Sequence, residues 1–438
     1  MNSRLGSLPT RSLDLPDFRP ARDAVTDDTP VLQRALDELA RGGGGSLRVP
    51  AGVYRCSTLR VSSRTTLVLE PGSVLLAHDN PQAYQTFVRT GETGPNRWNR
   101  SMILCDGAED VVITGGGVID GAHVFDPEGE EKMRGPHTIM LHNCRRIRIE
   151  GIHVRNSANY AIMFYDSHAI DIRQVTVEAG WDGVHFRGRP ECPCRDVTIT
   201  DCRFHTGDDA IAGWHWENTV ISGCVINSSC NGIRVIGPAN GLIIQDCLIY
   251  GPGRHPHRTF NNRVSLAGIL LQPGAWDPTE GTLDDVLISG VTMHRLQSPL
   301  QFVLKPGNRG GRITLNRVSA LGLHLAGAAI ESWADEPFGR VTFRDVAFEF
   351  ESSVAESVTT GPVKEPHVGA RALPAWALYA RGVRQLDLED VRFSIPGQPS
   401  APALVCEMVD EIRLDRATWP HVGNLRESIR SDSRLIGV

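Results

Sequence analysis

Two adjacent carboxylates, Asp208 and Asp209, are the residues of this chain best suited by type and spacing to acid–base chemistry. They follow Gly207 within the segment DVTITDCRFHTGDDAIAG, residues 196–213, which predicts two short strands and a turn. Paired carboxylates in a partly dry groove raise each other's pKa, so that one can stay protonated as an acid. Asp and Gly are also ordinary turn residues, so the pair alone is weak evidence for an active site. Its position in a repeat makes that evidence stronger.

A turn followed by a short strand recurs along the chain from residue 111 onward. The second residues of these repeats are Ile152, Val175, Cys202, Cys224, Cys247, Val291, Val318, Val346 and Val391, with successive spacings of 23, 27, 22, 23, 44, 27, 28 and 45. Periods in the twenties with β-type residues are typical of a parallel β-helix, so we predict an all-β, single-stranded solenoid. The two long spacings are either double coils or single coils with a loop. The three cysteines are expected in one interior column as buried thiols.

The residues before the repeat predict a cap for the solenoid. Residues 26–29 offer N-cap candidates for an amphipathic helix over 30–41, which ends at the glycines 42–45. Short strands of even spacing follow, and the open end of such a coil must be covered.

We therefore predict a single domain over 1–438. It consists of a cap and first coils in 17–77, core coils that carry the site in 111–350, and C-terminal coils and loops in 351–438. Residues 351–375 are irregular and polar, so we expect a mobile loop there. Residues 251–265 are an insert expected to overhang the groove and shape a pocket; the alternative is a solvated basic loop.

Charge and composition limit which binding partners and which cellular location we expect. A net charge of −6 without blocks of like charge argues against nucleic acid or an anionic membrane. No apolar run approaches the roughly 18 residues of a membrane span. The N-terminus shows no apolar core of a signal peptide, so a cytoplasmic location is expected, or a secreted or periplasmic one if a leader was removed. The oligomeric state stays open.

No metal or cofactor is predicted. Cys192 and Cys194 resemble a redox or metal pair, but no second Cys/His pair stands at zinc-ligand spacing. Two unpaired thiols in a loop are therefore the expectation.

The repeat also predicts where the acids lie. Seven residues beyond each second position stand Asn159, Asp182, Asp209, Asn231 and, after the insert, Ser298. Because strand side chains alternate, we expect Ala161, Val184, Ile211 and Ile233 to point inward and Ile162, His185, Ala212 and Arg234 to point outward. Neighbouring coils lie about 4.8 Å apart, so Asp182, Asp208 and Asp209 should cluster.

Three carboxylates on one exterior face indicate a hydrolytic site; the alternative is an Asp/Asn ladder that only satisfies turn amides. Trp181, Trp214 and His215 stand beside the acids in sequence. Tryptophans near acids suit stacking on sugar rings, although each can also be a core residue.

The sequence resembles the polygalacturonase-like enzymes of glycoside hydrolase family 28. The resemblance rests on residues 25–29 (VTDDT), 50–54 (PAGVY) and 117–121 (GVIDG), and covers roughly residues 17–350. It implies a right-handed parallel β-helix with three catalytic aspartates: Asp182 in Gly-Trp-Asp-Gly, and the pair Asp208 and Asp209. By this similarity Asp208 protonates the leaving oxygen, while Asp182 and Asp209 activate water and the configuration is inverted.

Two departures from the family concern substrate binding. The family's Gly-His-Gly is Cys230-Asn231-Gly232 here, and its Arg-Ile-Lys run, which grips the uronate carboxylate, aligns with residues 270–272, Leu-Leu-Gln. We therefore expect Asn231 and Gln272 at the substrate site, with His185 and Arg234 as replacements for the clamp. A neutral sugar is the expected substrate, and Arg234 binding a substrate carboxylate is the alternative.

The predicted function is an inverting glycosidase acting on an oligo- or polysaccharide. A β-helix polysaccharide lyase is disfavoured because no Lys lies between Lys132 and Lys305 to serve as a base. A transferase that forms cyclic disaccharides and a non-catalytic carbohydrate-binding or adhesion protein remain open. Linkage and exo or endo action are not determined by the sequence.

Overall fold

The computed structural model describes residues 10–12, 18–94, 96–420 and 433–436. The chain divides into two compact units: unit 1 comprises residues 1–187 and 194–203, and unit 2 comprises residues 188–193 and 204–438. The prediction of one domain over 1–438 stays a prediction.

Unit 1 holds the N-terminal helix and the first strands. The helix is α1 (Thr29–Arg41), and short 3-10 turns lie at Pro81–Ala83 and Glu130–Lys132. The strands are β1 (Thr10–Ser12), β2 (Asp23–Asp27), β3 (Gly45–Val49), β4 (Gly52–Cys56), β5 (Leu59–Arg60), β6 (Thr65–Leu69), β7 (Ser73–Ala77), β8 (Ser101–Asp106), β9 (Glu109–Thr114), β10 (Val118–Asp120), β11 (His137–His142), β12 (Arg145–Glu150), β13 (His153–Arg155), β14 (Ile162–Tyr165), β15 (His168–Arg173), β16 (Thr176–Glu178), β17 (Val184–Arg187) and β18 (Cys194–Thr200).

Unit 2 holds the later strands and one short helix, α2 (Ser352–Glu356). Its strands are β19 (Arg203–Thr206, whose first residue belongs to unit 1), β20 (Ile211–Trp214), β21 (Trp216–Ser222), β22 (Val225–Ser228), β23 (Asn231–Val235), β24 (Ala239–Gln245), β25 (Leu248–Tyr250), β26 (Ala267–Leu271), β27 (Gly281–Ser289), β28 (Thr292–His294), β29 (Ser298–Leu304), β30 (Asn308–Leu323), β31 (Ala328–Ser332), β32 (Phe338–Phe350), β33 (Leu378–Ser394), β34 (Leu404–Asp415) and β35 (Leu435–Ile436).

Each unit is a parallel β-helix, as the repeat predicts. In unit 1 each strand from β3 to β15 pairs in parallel with the strand three later, so that β9, β12, β15 and β18 form one ladder. Equivalent residues stack from coil to coil, as Ile147 does on Ile170 and Ile170 on Val197. These side chains are buried, and burying an apolar side chain of this size contributes about 1.5–3 kcal/mol.

The turn that opens each repeat has a left-handed backbone. The first residue of every repeat has a positive φ between 50° and 67°: Gly151, Gln174, Asp201, Gly223, Asp246, Gly290, Arg317, Asp345 and Asp390. Gly and Asp tolerate this region best, because Gly lacks Cβ and Asp can bond its own backbone. The turn residues that mark the repeat in the sequence are therefore a requirement of the coil.

Helix α1 covers the first coils. Its apolar face, with Leu32, Ala35, Leu36 and Leu39, is buried, and the helix packs against β3 and β5. The Asp28 carboxylate accepts hydrogen bonds from the backbone of Ala21 (2.6 Å) and Arg22 (3.1 Å), which fixes the chain entering the helix. The predicted helix and its end at Gly42 are confirmed. None of the helices in the described part of the chain has the length and apolarity needed to span a lipid bilayer.

Both long spacings of the repeat are single coils with loops. In the first, β24 pairs directly with β27, and in the second, β32 pairs directly with β33. The second loop, residues 351–377, contains α2 and folds back onto unit 2, where its Arg371 forms an ion pair with Glu331. This ion pair holds the loop against unit 2, and the mobility that the polarity of the segment led us to expect stays a prediction.

One part of the predicted register is wrong by a residue. Val184 pairs with Ile162 and His185 with Met163, so Ile162 points inward and Met163, not Ile162, shares the outward position of His185. The cause is a turn one residue longer in the earlier coil: Val154 pairs with Val177, yet eight residues separate 154 from 162 and seven separate 177 from 184. In unit 2 the register is confirmed, since Ile211 pairs with Ile233 and Ala212 with Arg234.

The cysteines are free thiols, as expected. Cys224 and Cys247 are neighbours in unit 2, and Cys202 is buried in unit 1. Cys194 is buried at the start of β18 rather than in a loop, while Cys192 is half-buried.

Candidate active site

The Asp209 carboxylate in unit 2 is held by three donors from the next coil. Asp209 precedes β20, and Asn231 begins β23, which pairs with β20. The Asn231 backbone N–H and Nδ2 donate to Oδ1 of Asp209 at 3.0 and 2.7 Å, and Nη1 of Arg234 donates to Oδ2 at 3.3 Å. Since donors favour the ionised form of a carboxylate, Asn231 and Arg234 orient Asp209 and support its charge.

Burial acts in the opposite direction on the same group. Burial raises the pKa of Asp209, and the neighbouring Asp208 raises it further, whereas Arg234 and Asn231 lower it, so that the pKa lies above its usual value. The closest carboxylate oxygens of Asp208 and Asp209 lie within 4.8 Å of each other. Two titratable groups so close together are a candidate acid–base pair.

Arg234 lies on the outward face of β23 and is itself nearly buried. Its guanidinium carbon lies 5.4 Å from the centre of the Trp276 ring, which is 57% exposed. The Nε and Nη2 atoms of Arg234 have no hydrogen-bond partner in the part of the chain that the structure describes. Because a buried N–H without a partner is costly, these two groups suit an acceptor supplied by a ligand.

Asp208 is positioned by backbone contacts and by a loop. Its carbonyl oxygen accepts from the hydroxyls of Thr206 (2.7 Å) and Ser228 (2.8 Å), and its Oδ1 accepts from the backbone N–H of Asp209 at 3.0 Å. Nε2 of His257 lies 3.6 Å from the same Oδ1. The pair therefore has an imidazole beside it.

His257 comes from the insert at 251–265, which overhangs the acid pair as predicted. Asn227 holds this loop: its Nδ2 donates to the Pro252 carbonyl at 2.9 Å, and its Oδ1 accepts from the Arg254 backbone at 2.7 Å. Sequence reasoning described the insert as a cover of the groove and missed His257 as a site residue. The sequence did contain a signal for His257. Asn231 stands where the family has a histidine, and the insert one coil later is rich in histidine.

Among the described residues of unit 2, one group of side chains could hold a metal ion. Ligand atoms of Asp208, Cys230 and His257 lie within 4.8 Å of one another. However, burial raises the pKa of the Cys230 thiol well above its usual value, and the thiol rather than the thiolate is a poor metal ligand. The donor set does not favour a resident metal, and its absence stays a prediction.

Unit 1 carries the third predicted acid. Asp182 is buried, and its Oδ2 lies 2.6 Å from Nδ1 of His185. The His185 ring stacks on Tyr160 with centroids 4.1 Å apart and 8° between the planes. His185 therefore orients the Asp182 carboxylate, and its role in binding a substrate carboxylate stays a prediction. That Asp182 joins Asp208 and Asp209 stays a prediction.

The turn before Asp182 requires glycine. Gly180 has φ +75°, and a Cβ there would lie 2.7 Å from the carbonyl oxygen of Ser157. The Gly-Trp-Asp-Gly sequence thus has a packing reason as well as a chemical one.

Trp181 is a core residue rather than an exposed platform. It is buried in a cluster with Met140, Tyr160 and Met163, and the Arg134 guanidinium covers its ring at 3.7 Å. Its binding of sugar stays a prediction, but the cation over its face leaves less room for stacking than the sequence suggested.

The remaining predicted site residues of unit 2 differ in accessibility. Trp214 is buried at the end of β20, on the same face as Ala212, and packs on Gly237. His215 lies in the next turn, where burial lowers its pKa. Gln272 is fully buried, and its amide atoms have no partner among the described residues. Exposed Trp276 was not predicted, since nothing in its turn distinguishes it in the sequence.

Comparisons with known proteins agree with this fold. Residues 137–275 match the family model described as a right handed beta helix region. A crystal structure of a hyperthermoactive exopolygalacturonase from Thermotoga maritima superposes with a TM-score of 0.62 at 16% identity, covering 88% of this chain and 92% of that one. The architecture is therefore a right-handed parallel β-helix.

Two proteins of known family are similar to this chain in sequence. A probable polygalacturonase of Vitis vinifera is 29% identical over 220 residues, which are 46% of this chain and 45% of that protein. An exo-poly-alpha-D-galacturonosidase of Dickeya chrysanthemi is 24% identical over 244 residues, 43% of this chain and 39% of that protein. The chain thus spans less than half the length of these two relatives. The resemblance to polygalacturonases that the motifs indicate is confirmed as a similarity to these proteins.

Proposed function

We propose that the protein is a glycoside hydrolase that cleaves galacturonate-containing chains. The observation that carries this proposal is the close Asp208–Asp209 pair, in which Asp209 is buried and held by Asn231 and Arg234 while Asp208 is partly exposed. A pair of carboxylates with different surroundings is what glycosidic hydrolysis requires, one as acid and one as base.

The roles within the pair follow from the contacts. Three N–H donors favour the ionised form of Asp209, and its charge in turn favours a proton on Asp208. We therefore assign Asp208 as the acid for the leaving oxygen, with His257 beside it, and Asp209 as a base for water. Asp182 is included on the basis of its motif and its place in the repeat.

The substrate proposal corrects the neutral sugar that the sequence led us to expect. That expectation rested on Leu270 and Gln272, which stand where the family has its cationic clamp. Both curated relatives are named for polygalacturonate, and Arg234 pairs directly with Leu270 on the neighbouring strand. Its free N–H groups, Nε and Nη2, offer a uronate carboxylate the paired donors that a buried anion needs.

The first experiment measures reducing ends released from polygalacturonate and from neutral galactans and glucans. We expect release from polygalacturonate only, and its loss in Asp209→Asn. Asp285→Asn, which changes an exposed aspartate on β27, is the matched control and should keep full activity. Hydrolysis of a neutral glycan without any of polygalacturonate would refute the substrate class.

The stereochemistry is a separate question. The short separation within the pair is more typical of retaining glycosidases than of inverting ones, in which the carboxyl groups are about 6.5–9.5 Å apart. Inversion is proposed from the family resemblance, with water activated jointly by Asp182 and Asp209. Proton NMR of the first product should show the inverted anomer; a retained anomer would make one of these aspartates a nucleophile.

The competing enzyme class is a β-helix lyase. A lyase would leave an unsaturated, ultraviolet-absorbing uronate and commonly depends on calcium. We expect no such absorbance and no loss of activity with a chelator, because the proposed chemistry uses carboxylates and water alone.

A further inference from the structure

The outward face of one sheet in unit 2 leads away from the acid pair toward later coils. Beyond Arg234 the strands β26, β29, β31, β33 and β34 place Leu270, Gln301, Ala329, Tyr379 and Val405 in one register column. A polymer lying across the acid pair and continuing in this direction would rest on that column. All five side chains are buried, so the face is already occupied.

Over Ala329, Tyr379 and Val405 the occupant is a segment of the chain itself, residues 359–373, here called the covering segment. It is closed at its base by a hydrogen bond from the Thr359 N–H to the Leu373 carbonyl at 2.9 Å. Leu373, with Ala375 just beyond the segment, packs in one apolar cluster with Ala329, Tyr379 and Val405, and Val363 packs against the same cluster.

Ion pairs fasten the covering segment to the face. Both terminal nitrogens of Arg371 donate to the Glu331 carboxylate at 2.7 Å, and Nζ of Lys305 donates to Glu365 at 2.8 Å. Glu331 is fully buried, and a buried carboxylate that loses the cation paired with it is strongly destabilised. The segment is therefore bound in place as part of the fold.

The tip of the covering segment reaches the coil next to Arg234. A Cβ on Gly369 would lie 4.0 Å from the Leu266 side chain, immediately before β26. The His367 ring lies 6.4 Å from that of Trp276, and Trp276 covers the Arg234 guanidinium. On this side of the acids the face is therefore covered from the coil next to Arg234 onward.

We infer that the covering segment closes the substrate groove on the side of the later coils and makes the enzyme act on chain ends. This inference rests on the proposed function. A polymer cannot pass through a groove that ends at Trp276 and the covering segment, so one end of the chain must terminate there, and each cleavage releases a short product.

The test uses the full-length protein and oligogalacturonides of defined length, labelled at the reducing end, together with polygalacturonate. We expect one short product of constant size from every chain length, and little loss of viscosity per reducing end formed. Internal cleavage, with mixed product sizes and an early fall in viscosity, would overturn the inference while leaving the proposed function intact. Absence of hydrolysis on every galacturonide would overturn the proposed function itself.

A variant tests the cause. Residues 361–371 are replaced by Gly-Ser, together with Glu331→Gln so that no unpaired carboxylate remains buried. We expect several-fold more viscosity loss per reducing end than in the wild type, because the face is open. Asp285→Asn, which keeps the covering segment and its ion pairs, is the control and should retain the wild-type pattern. An unchanged pattern in the shortened variant, with native circular dichroism, would show that the segment does not set the mode of action.

Discussion

At the residue scale, the acid pair combines burial with a small set of donors. Asp209 is desolvated, which disfavours its charge, and it receives three N–H donors, which favour it. The balance leaves a carboxylate that ionises above the usual range and is held rigidly. Asp208 then shares its surroundings with this charge and with His257.

The first prediction concerns the acid. Asp208→Asn should lower kcat/KM on polygalacturonate by about 10²–10⁴, the contribution of a positioned general acid. Aryl galacturonides with good leaving groups should lose much less, because they need little protonation. The two ratios are measured side by side on purified, folded variant, and an equal loss on both substrates would contradict the assignment of Asp208.

The second prediction concerns pH. Arg234 lowers the raised pKa of Asp209, so Arg234→Ala should raise that pKa further. Since the base must be ionised, the acidic limb of the pH profile should move to higher pH. Arg234→Lys keeps the positive charge and should leave the limb near its wild-type position. A limb that stays in place in Arg234→Ala would exclude Asp209 as the group that controls it.

At the element scale, the turns matter as much as the strands. The repeat opens with a left-handed residue, and the turn before Asp182 brings the chain close to the preceding coil. A side chain is excluded there by the neighbouring backbone, whereas at Gly151 only the φ angle is demanding.

The third prediction separates these two effects. Gly151→Ala has φ +67° and open space around the new Cβ, so it should cost about 1–2 kcal/mol, the price of the left-handed region for a residue with Cβ. Gly180→Ala has a similar φ and adds a clash with Ser157, so a further ~1–3 kcal/mol is expected. Urea titration of both variants measures the difference. Equal losses of unfolding free energy in the two variants would show that the backbone at Ser157 shifts to make room for the new Cβ.

At the scale of the whole molecule, stability comes from stacked interior ladders. In unit 2, Ile288 pairs with Leu315 and Leu315 with Phe343, and all three side chains are buried. Each coil is covered by its two neighbours, so a gap in one ladder affects both.

The fourth prediction follows from this stacking. Leu315→Ala should destabilise unit 2 by about 2–5 kcal/mol, the usual cost of a large-to-small change in a packed core. Thr314→Ala, which alters the outward residue just before it, should change stability by about 0.5 kcal/mol or less. Denaturant unfolding followed by circular dichroism compares the two. A small effect of Leu315→Ala would mean that the neighbouring coils collapse into the gap.

The sequence by itself determined the coil and part of the site. Apolar residues, left-handed turn residues and spacings recur in each repeat because every coil needs the same local geometry, and this is enough to place Asp209, Asn231 and Arg234 in register. The outward position predicted for Ile162 is wrong, because one extra turn residue shifts that position to Met163.

Only the tertiary structure decided which loops return to the coils. The insert brings His257 to Asp208, and the covering segment brings Arg371 to Glu331, residues 40 positions apart in the chain. No local sequence pattern predicts either contact. Each depends on how a loop packs over side chains contributed by several distant coils. Strand pairing repeats at short range and is therefore visible in the sequence, whereas the packing of a loop on a folded face is decided only once that face exists.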